Sequence, residues 1–305
     1  EHIVGEGWKK FNYRTDLEEI LSHGINNEDY KNFLIVGGDG TVHEAVNILY
    51  QRQNSLCLMF DLSEIRLAVL PVGSGNDLAR NLNLDVSDGS IDYVCENLFD
   101  GPYRQVDIIE CDVPDKGFKR YAINVADTGF GAHLIKYGED NPLGRTIKRV
   151  TSNWYTFCVP LAFFTYRIPD QITVNIDKEE YTYSDCFLPV LANGEVAGSN
   201  LLLGEVGDNS DGYLDFTVLK DLPKTPRGFA KVLSLLKQAS QRDKKIFNSD
   251  YIESRVGTQV TVTSPDLGQY LQLDGELYEF ESSLTRVVYR KLMNGNNSLN
   301  FLAKN

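Results

Sequence analysis

The chain is short of several things, and each shortage removes a class of function. It has no basic excess: 30 Lys and Arg stand against 43 Asp and Glu, for a net charge of −13. A nucleic-acid binder needs a basic face to displace the counterions of the phosphate backbone, so no nucleic-acid partner is expected. A local basic patch can still act despite an acidic total, which leaves a membrane partner open. Cysteine is scarce, with five residues (Cys57, Cys95, Cys111, Cys158 and Cys186) scattered without metal-ligand or redox spacing. That pattern fits a reduced, cytoplasmic compartment rather than a disulfide scaffold. The four histidines show no metal spacing and are assigned no role. Long apolar runs are also lacking. The longest, Trp154 to Phe164, is about half of the roughly 20 residues that span a membrane, and Pro160 interrupts it. Residues Glu1 to Gly7 contain no apolar signal core. A soluble or peripheral protein is therefore expected, with the aromatic stretch after Trp154 read as core before membrane contact.

What is present suffices for two cores. A length of 305 residues, with 42% hydrophobic and 24% charged content, predicts two ordinary globular domains. The first third alternates helix and strand patterns. Helices are expected at Asp16–His23 and Val42–Tyr50 and opening at Asp77–Asn81, with buried strands at Phe33–Val36 and Arg66–Pro71. Apolar strands alternating with helices predict a parallel α/β sheet. After about Pro102 the texture changes. Strand-like segments at Ile172–Ile176, Leu214–Val218, Val260–Thr263 and Arg286–Tyr289, punctuated by Asp211-Gly212 and Asp274-Gly275, predict a mostly antiparallel sandwich or barrel. One helix interrupts it, capped by Thr225, with Pro226 at its first position and an apolar stripe of Phe229, Val232, Leu233 and Leu236. The Lys224–Lys245 region around it is locally basic.

Gly37-Gly38-Asp39-Gly40-Thr41 follows the first apolar strand and precedes a helix. Its glycines let the backbone approach a ligand and leave N–H groups to face phosphate oxygens. Thr41 and Glu44 have capping-box spacing, which predicts where the helix begins. The Asp39 carboxylate beside phosphates implies a magnesium ion between them. The plain alternative is a strand-to-helix turn that uses glycine for geometry. A second loop, Pro71-Val72-Gly73-Ser74-Gly75-Asn76-Asp77-Leu78-Ala79-Arg80, repeats this arrangement after the second strand. No Walker loop, Gly-x-x-x-x-Gly-Lys-Ser/Thr, occurs anywhere in the chain.

Two acidic turns lie further on. Asp208 to Asp215 concentrates oxygen ligands around a tight turn, which suits a hard divalent cation or, equally, a solvated hairpin. Asp274-Gly275-Glu276 reads either as a surface turn or as the site of a general base, and the tripeptide alone does not decide.

Gly37–Thr41 resembles the signature shared by diacylglycerol, sphingosine and ceramide kinases, by NAD kinases and, more loosely, by phosphofructokinases. Pro71–Arg80 looks like the Pro-x-Gly-Thr/Ser-x-Asn-Asp-Phe/Leu-Ala-Arg motif of the lipid kinases, while the Thr-Pro-Thr-Gly-Ser segment of NAD kinases is absent. From about Phe33 to Tyr289 the chain thus resembles the bacterial diacylglycerol kinase family. The resemblance implies a three-layer α/β nucleotide-binding domain over 1–101, to which 292–305 returns, and a β-sandwich lipid-binding domain over 102–291. It implies ATP as donor, Mg2+ as cofactor and a lipid hydroxyl as acceptor, with diacylglycerol the first candidate. The implied catalytic residues are Glu276 as base, with Asp274 and Asp39. Nucleotide contacts fall on Gly37, Gly38, Asp39, Gly40, Thr41, Glu44, Gly73, Ser74, Gly75, Asn76 and Asp77. A structural magnesium falls on Asp211, with Asp208 and Tyr213 contributing through the backbone. Asn193-Gly194 resembles a turn near the lipid, and Asp107 an aspartate of the acidic network, though each reads equally well as structural. A membrane-surface substrate and a peripheral, cytoplasmic location follow, and a homodimer stays open. An NAD-kinase-like enzyme and a silent nucleotide-binding regulator are the rival readings. The family opens with a strand and an Asn-Pro-x-Ser-Gly loop, of which Gly5-Glu6-Gly7 is a possible remnant, so a missing start is expected.

Overall fold

The computed structural model describes residues 14–28, 30–54, 61–84, 90–142, 144, 146, 154–198, 200–292 and 298–304. The Gly5–Gly7 remnant lies outside them. The chain opens with α1 (Arg14–Glu28), β1 (Asn32–Gly37), α2 (Asp39–Asn54), β2 (Arg66–Pro71), α3 (Asp77–Asn81), α4 (Ser90–Asn97) and β3 (Tyr103–Val106). β1 and β2 pair in parallel from Asn32↔Arg66 to Gly37↔Pro71, so both strands end at the same edge of the sheet. The last strand, β18 (Leu299–Leu302), inserts between β2 and β3, parallel to the first and antiparallel to the second. The sheet order is therefore β1-β2-β18-β3, and the sheet is mixed rather than parallel throughout. The apolar run of β1 is not fully buried either, because β1 lies at the edge among the described strands and Val36 is 56% exposed. Val42, Val46, Leu49, Leu67, Ala68, Val94 and Phe301 share one core, so helices α2 and α4 are held to the sheet by its buried side chains.

The chain leaves this sheet at Asp107 and returns to it at Leu299. Between them lie β4 (Ile108–Val113), β5 (Phe118–Ala122), β6 (Val125–Asp127), α5 (Phe130–Asp140), α6 (Trp154–Thr165), β7 (Gln171–Ile176), β8 (Glu179–Ser184), β9 (Leu188–Ala192), β10 (Val196–Ala197), β11 (Leu201–Leu202), β12 (Leu214–Leu219), α7 (Pro226–Ser240), β13 (Ile252–Gly257), β14 (Gln259–Thr263), β15 (Tyr270–Leu273), β16 (Glu276–Glu279) and β17 (Arg286–Leu292). They form two six-stranded antiparallel sheets, ordered β13-β12-β9-β6-β15-β16 and β5-β4-β17-β14-β7-β8, beside a small β10–β11 pair. Alternate residues such as Ile172, Val174 and Ile176, with Tyr289 of the same sheet, point into a core shared with Leu191, Phe216 and Leu271 of the facing sheet. This is a β-sandwich joined to an α/β unit.

Helices α5, α6 and α7 bury a third cluster, including Phe130, Phe163, Phe187, Val232 and Leu235. The helix assignment of α6 runs through Pro160 without a break. In α7, the Thr225 side chain accepts a hydrogen bond from the Gly228 N–H at 3.2 Å, with Pro226 at the first helical position, as expected. Its buried stripe is shifted from the expected one. Gly228, Val232, Leu235 and Ala239 face inward, whereas Leu233 is 40% exposed.

Phe301 is fully buried between β2 and β3. Truncating a buried phenylalanine costs about 3–5 kcal/mol. Phe301→Ala should lower the unfolding free energy of the whole chain by that amount in urea denaturation. A loss below about 1 kcal/mol would show that β18 is not an integral strand of the sheet.

Candidate active site

The two glycine loops meet because their strands are parallel neighbours. Gly38 and Gly73 touch backbone to backbone: a Cβ placed on Gly38 would lie 2.9 Å from the Gly73 Cα. A Cβ on Gly75 would lie 2.6 Å from Asp39 Oδ2. Gly38 and Gly73 are required by the crossing of the loops before any ligand is considered. Helix α2 begins at Asp39, two residues before the Thr41–Glu44 pair that was expected to mark its start. The Gly38 carbonyl takes the first bonds, from the Thr41 and Val42 N–H groups at 3.0 and 3.2 Å. Asp39 is thus the first helical residue, where a carboxylate suits the helix dipole. The leading N–H groups of α2, at Asp39 and Gly40, have no partner within the helix and face the loop crossing.

The second loop closes on itself. Asn76 sits in the left-handed region (φ 58°) and clasps Gly73, accepting from its N–H at 3.0 Å and donating to its carbonyl at 2.8 Å. The Leu78 N–H donates to Asp39 Oδ1 at 3.2 Å. Of the N–H groups of the second loop and the start of α3, those of Gly73 and Leu78 are thus engaged within the chain. Asp77 Oδ1 accepts from the Asn200 N–H at 2.8 Å and from Arg80 at 2.9 Å, tying α3 to the β10–β11 turn.

Across from the loops stands the β15–β16 hairpin. Asp274 and Gly275 have φ of 54° and 89°, the double positive φ of a two-residue type I′ turn. This is not a surface turn, since the Asp274 side chain is 2% exposed. Its carboxylate accepts from the N–H groups of Ile123, Asn124 and Val125 at 2.9, 2.8 and 3.1 Å, and from His43 Nδ1 at 2.9 Å. Four donors give Asp274 a positioning role: it pins the hairpin to α2 and to the β5–β6 link, and so sets the place of half-buried Glu276 at the start of β16.

His43 was assigned no role from sequence, and the structure corrects this. A carboxylate can only accept, so Nδ1 carries the proton, and Nε2 accepts from the Tyr278 hydroxyl at 2.8 Å, with Asn47 at 3.2 Å. Burial pushes the Tyr278 hydroxyl up to about 12. The readable signal was a polar pair, His43 and Asn47, one helical turn apart on a face otherwise made of Val42, Ala45, Val46, Leu49 and Tyr50.

Asp39, Asp77 and Asp274 act on one another electrically. Burial, then the Asp77 charge and to a lesser degree Asp274, raise Asp39 from 3.8 to about 6, against hydrogen bonds from Leu78 and Asp77 that lower it. A half-buried carboxylate crowded by like charge is suited to a cation. Among the described residues no cluster of His, Cys, Asp or Glu completes a metal site alone. Magnesium fits here with Asp39 and Asp77 as carboxylate partners and phosphate oxygens as the remainder.

In the acidic loop several of the expected ligand groups already have partners within the chain. Asp208 Oδ1 accepts from the Ser210 N–H and hydroxyl at 2.9 and 2.7 Å, and Asp211 Oδ1 from the Tyr213 N–H at 2.8 Å. The expected carbonyl ligand, that of Tyr213, accepts from the Lys291 ammonium at 2.7 Å. The Lys291 side chain is fully buried, also donates to Asn193 Oδ1, and lies 3.5 Å from Asp107 Oδ2 and 4.0 Å from Asp211 Oδ1. Burial pushes Lys291 down and Asp107 up, and the attraction between them opposes both shifts. Asn193 is structural as well, since its amide donates to the Asp107 and Ile123 carbonyls, both at 2.6 Å.

Residues 9–111 match the diacylglycerol kinase catalytic domain. The chain is 28% identical over 217 residues to a Shewanella frigidimarina protein named "Probable lipid kinase YegS-like", covering 71% of this chain and 62% of that one. It is 24% identical over 192 residues to a diacylglycerol kinase of Mycobacterium tuberculosis, covering 63% and 56% respectively. It thus spans about three fifths of the length of these curated relatives. The crystal structure of a diacylglycerol kinase from Bacillus anthracis str. Sterne superposes with a TM-score of 0.60 at 16% identity, over 96% of this chain and 83% of that one, which shows the shared fold. The chain is similar to lipid kinases. More narrowly, its first third carries the match to the diacylglycerol kinase catalytic domain.

The Asp39 geometry yields a test. Its folded carboxyl binds a proton more tightly than the unfolded one, so ionisation costs the fold on the order of 3 kcal/mol. That cost is complete above a pH of about 6 and absent below about 3.8. Asp39→Asn should therefore melt at higher temperature than wild type near neutral pH, with the gain vanishing towards acid. A gain equal at both ends of the range, or none, would refute the reading that desolvation and the Asp77 charge together raise Asp39.

Proposed function

We propose that the protein is an ATP-dependent lipid kinase that transfers the γ-phosphate to a lipid hydroxyl, with diacylglycerol the first candidate. The observation that carries this reading is the hairpin pinned by Asp274. It brings Asp274 close enough to raise Asp39 at the loop crossing, with Glu276 two residues further on. In this reading one hairpin carries both the carboxylate that acts on Asp39 and the candidate base, the pairing that phosphoryl transfer to an alcohol needs.

In this reading the leading N–H groups of α2 hold phosphate oxygens. Asp39 and Asp77 hold magnesium, which when bound neutralises charge developing on the phosphoryl group. Glu276 accepts the proton of the lipid hydroxyl as its oxygen bonds to the γ-phosphorus, and the bond to the β–γ bridging oxygen breaks to release ADP. Asp274, through His43 and three backbone N–H groups, keeps Glu276 in place without touching the reacting atoms.

Peripheral contact with a membrane is supported by the outer face of α7. Lys224, Arg227 and Lys237 are exposed there, and exposed Phe164 lies 5.7 Å from Phe229, ring to ring, near exposed Leu233. A basic rim around apolar side chains suits an anionic lipid surface. No described helix is long and apolar enough to cross a membrane.

The test is phosphorylation of diacylglycerol in anionic vesicles from labelled ATP, read by mass spectrometry of the lipid product. Glu276→Gln should lower the turnover rate about 10²–10⁴-fold while ATP affinity changes little. Phosphorylation of soluble NAD in place of lipid would assign a soluble-substrate kinase, and nucleotide binding without turnover a silent regulator. Loss of ATP affinity at an unchanged maximal rate would place Glu276 in binding.

A further inference from the structure

We propose that Lys291 supplies, from within the chain, the cation around which the 208–213 loop and the junction between the α/β unit and the sandwich are organised, so that this loop needs no divalent metal.

Lysine is almost never fully buried unless paired, and the Lys291 side chain is fully buried. An ammonium has three donors. Here two go to the Tyr213 carbonyl and the Asn193 amide oxygen, and the third faces Asp107 Oδ2 and Asp211 Oδ1. A backbone carbonyl, an amide oxygen and two carboxylates are the oxygen set that a hard divalent ion uses. A metal on these same oxygens would have to share them with a fixed positive charge in a buried site, where like-charge repulsion is poorly screened.

The position of the pair matters as much as its chemistry. Asp107 is the residue at which the chain leaves the first sheet, and Lys291 lies one residue before β17 ends and the chain turns back to it. The Asp107 N–H donates to the Asn209 carbonyl, its Oδ2 accepts from the Gly212 N–H, and the Lys291 N–H donates to the Thr258 carbonyl, at 2.8 Å each. Both passages of the chain between its two units are thus fastened to one ammonium and the loop that surrounds it.

The experiment is thermal and urea unfolding without nucleotide, in chelator and in excess magnesium or calcium. All variants carry Asp39→Asn, so that the carboxylates of the loop crossing contribute no metal effect. With Lys291 intact, unfolding should be the same in chelator and in metal. Lys291→Met, of similar length but uncharged, should lower the folding equilibrium by a factor of about 10²–10³ in chelator. Lys291→Ala, which opens space among the same oxygens, should regain stability when metal is added, and a further Asp211→Asn should erase that regain. If Lys291→Ala does not fold in either condition, the metal indifference of the Lys291-intact protein and the loss in Lys291→Met decide the matter. Metal stabilisation of the Lys291-intact protein that Asp211→Asn removes would overturn the proposal. So would a Lys291→Met protein as stable as its parent.

Discussion

The buried carboxylate of Asp274 is the interaction on which the site depends. A charge taken out of water is tolerated when hydrogen bonds replace its hydration, and here four donors do so. Three of them are consecutive backbone N–H groups, which the link from β5 to β6 aims at one point. The fourth is His43, which belongs to the helix that starts at the glycine crossing. The carboxylate therefore measures the distance between the sandwich and the α/β unit. Under the proposed function, a change in either partner would shift Glu276 relative to Asp39 and weaken their action on one substrate.

The second fastening has the opposite polarity. At Asp107 and Lys291 an ammonium, rather than a carboxylate, is the buried centre, and oxygens rather than N–H groups surround it. Both centres lie where the chain's two units meet, and at each a charge is satisfied by groups from several elements. Buried charges of this kind add little net stability compared with apolar packing, but removing one partner is costly. They fix one relative placement of the two units and penalise the others.

Much of the fold was legible in the sequence because its signals are local. The apolar runs at Phe33–Val36 and Arg66–Pro71, and the Thr225-Pro226 helix start, lie where pattern and capping chemistry place them. What escaped was mostly non-local. Nothing in Leu299–Leu302 announces that it slides between β2 and β3, because sheet order is decided by tertiary packing. Lys291 in a strand reads as a solvated residue, and the oxygens that bury it come from positions 107, 193, 211 and 213. Two misses were local. Thr41 and Glu44 have capping-box spacing, but the same spacing occurs within any helical turn, and the Gly38 carbonyl began the helix earlier. In α7 two overlapping apolar stripes were available, and packing against α6 chose the one through Leu235 rather than Leu233.

The glycine motifs carry a more general point. Gly38 and Gly73 suit an anion-binding backbone, yet each would be needed even in an empty protein, because the loops cross with no room for a Cβ. A match to such a motif therefore argues first for the crossing and only indirectly for the ligand. The chemistry is better read from what the crossing leaves uncompensated. Asp39 is half-buried beside Asp77 at a cost to the fold, and the hydrogen bonds it receives do not restore its ordinary acidity. Packing alone would have replaced such a residue with its amide. A carboxylate kept ionised at neutral pH in that place makes sense if a cation and phosphates complete the site, and it is the feature by which a working crossing differs from a merely folded one.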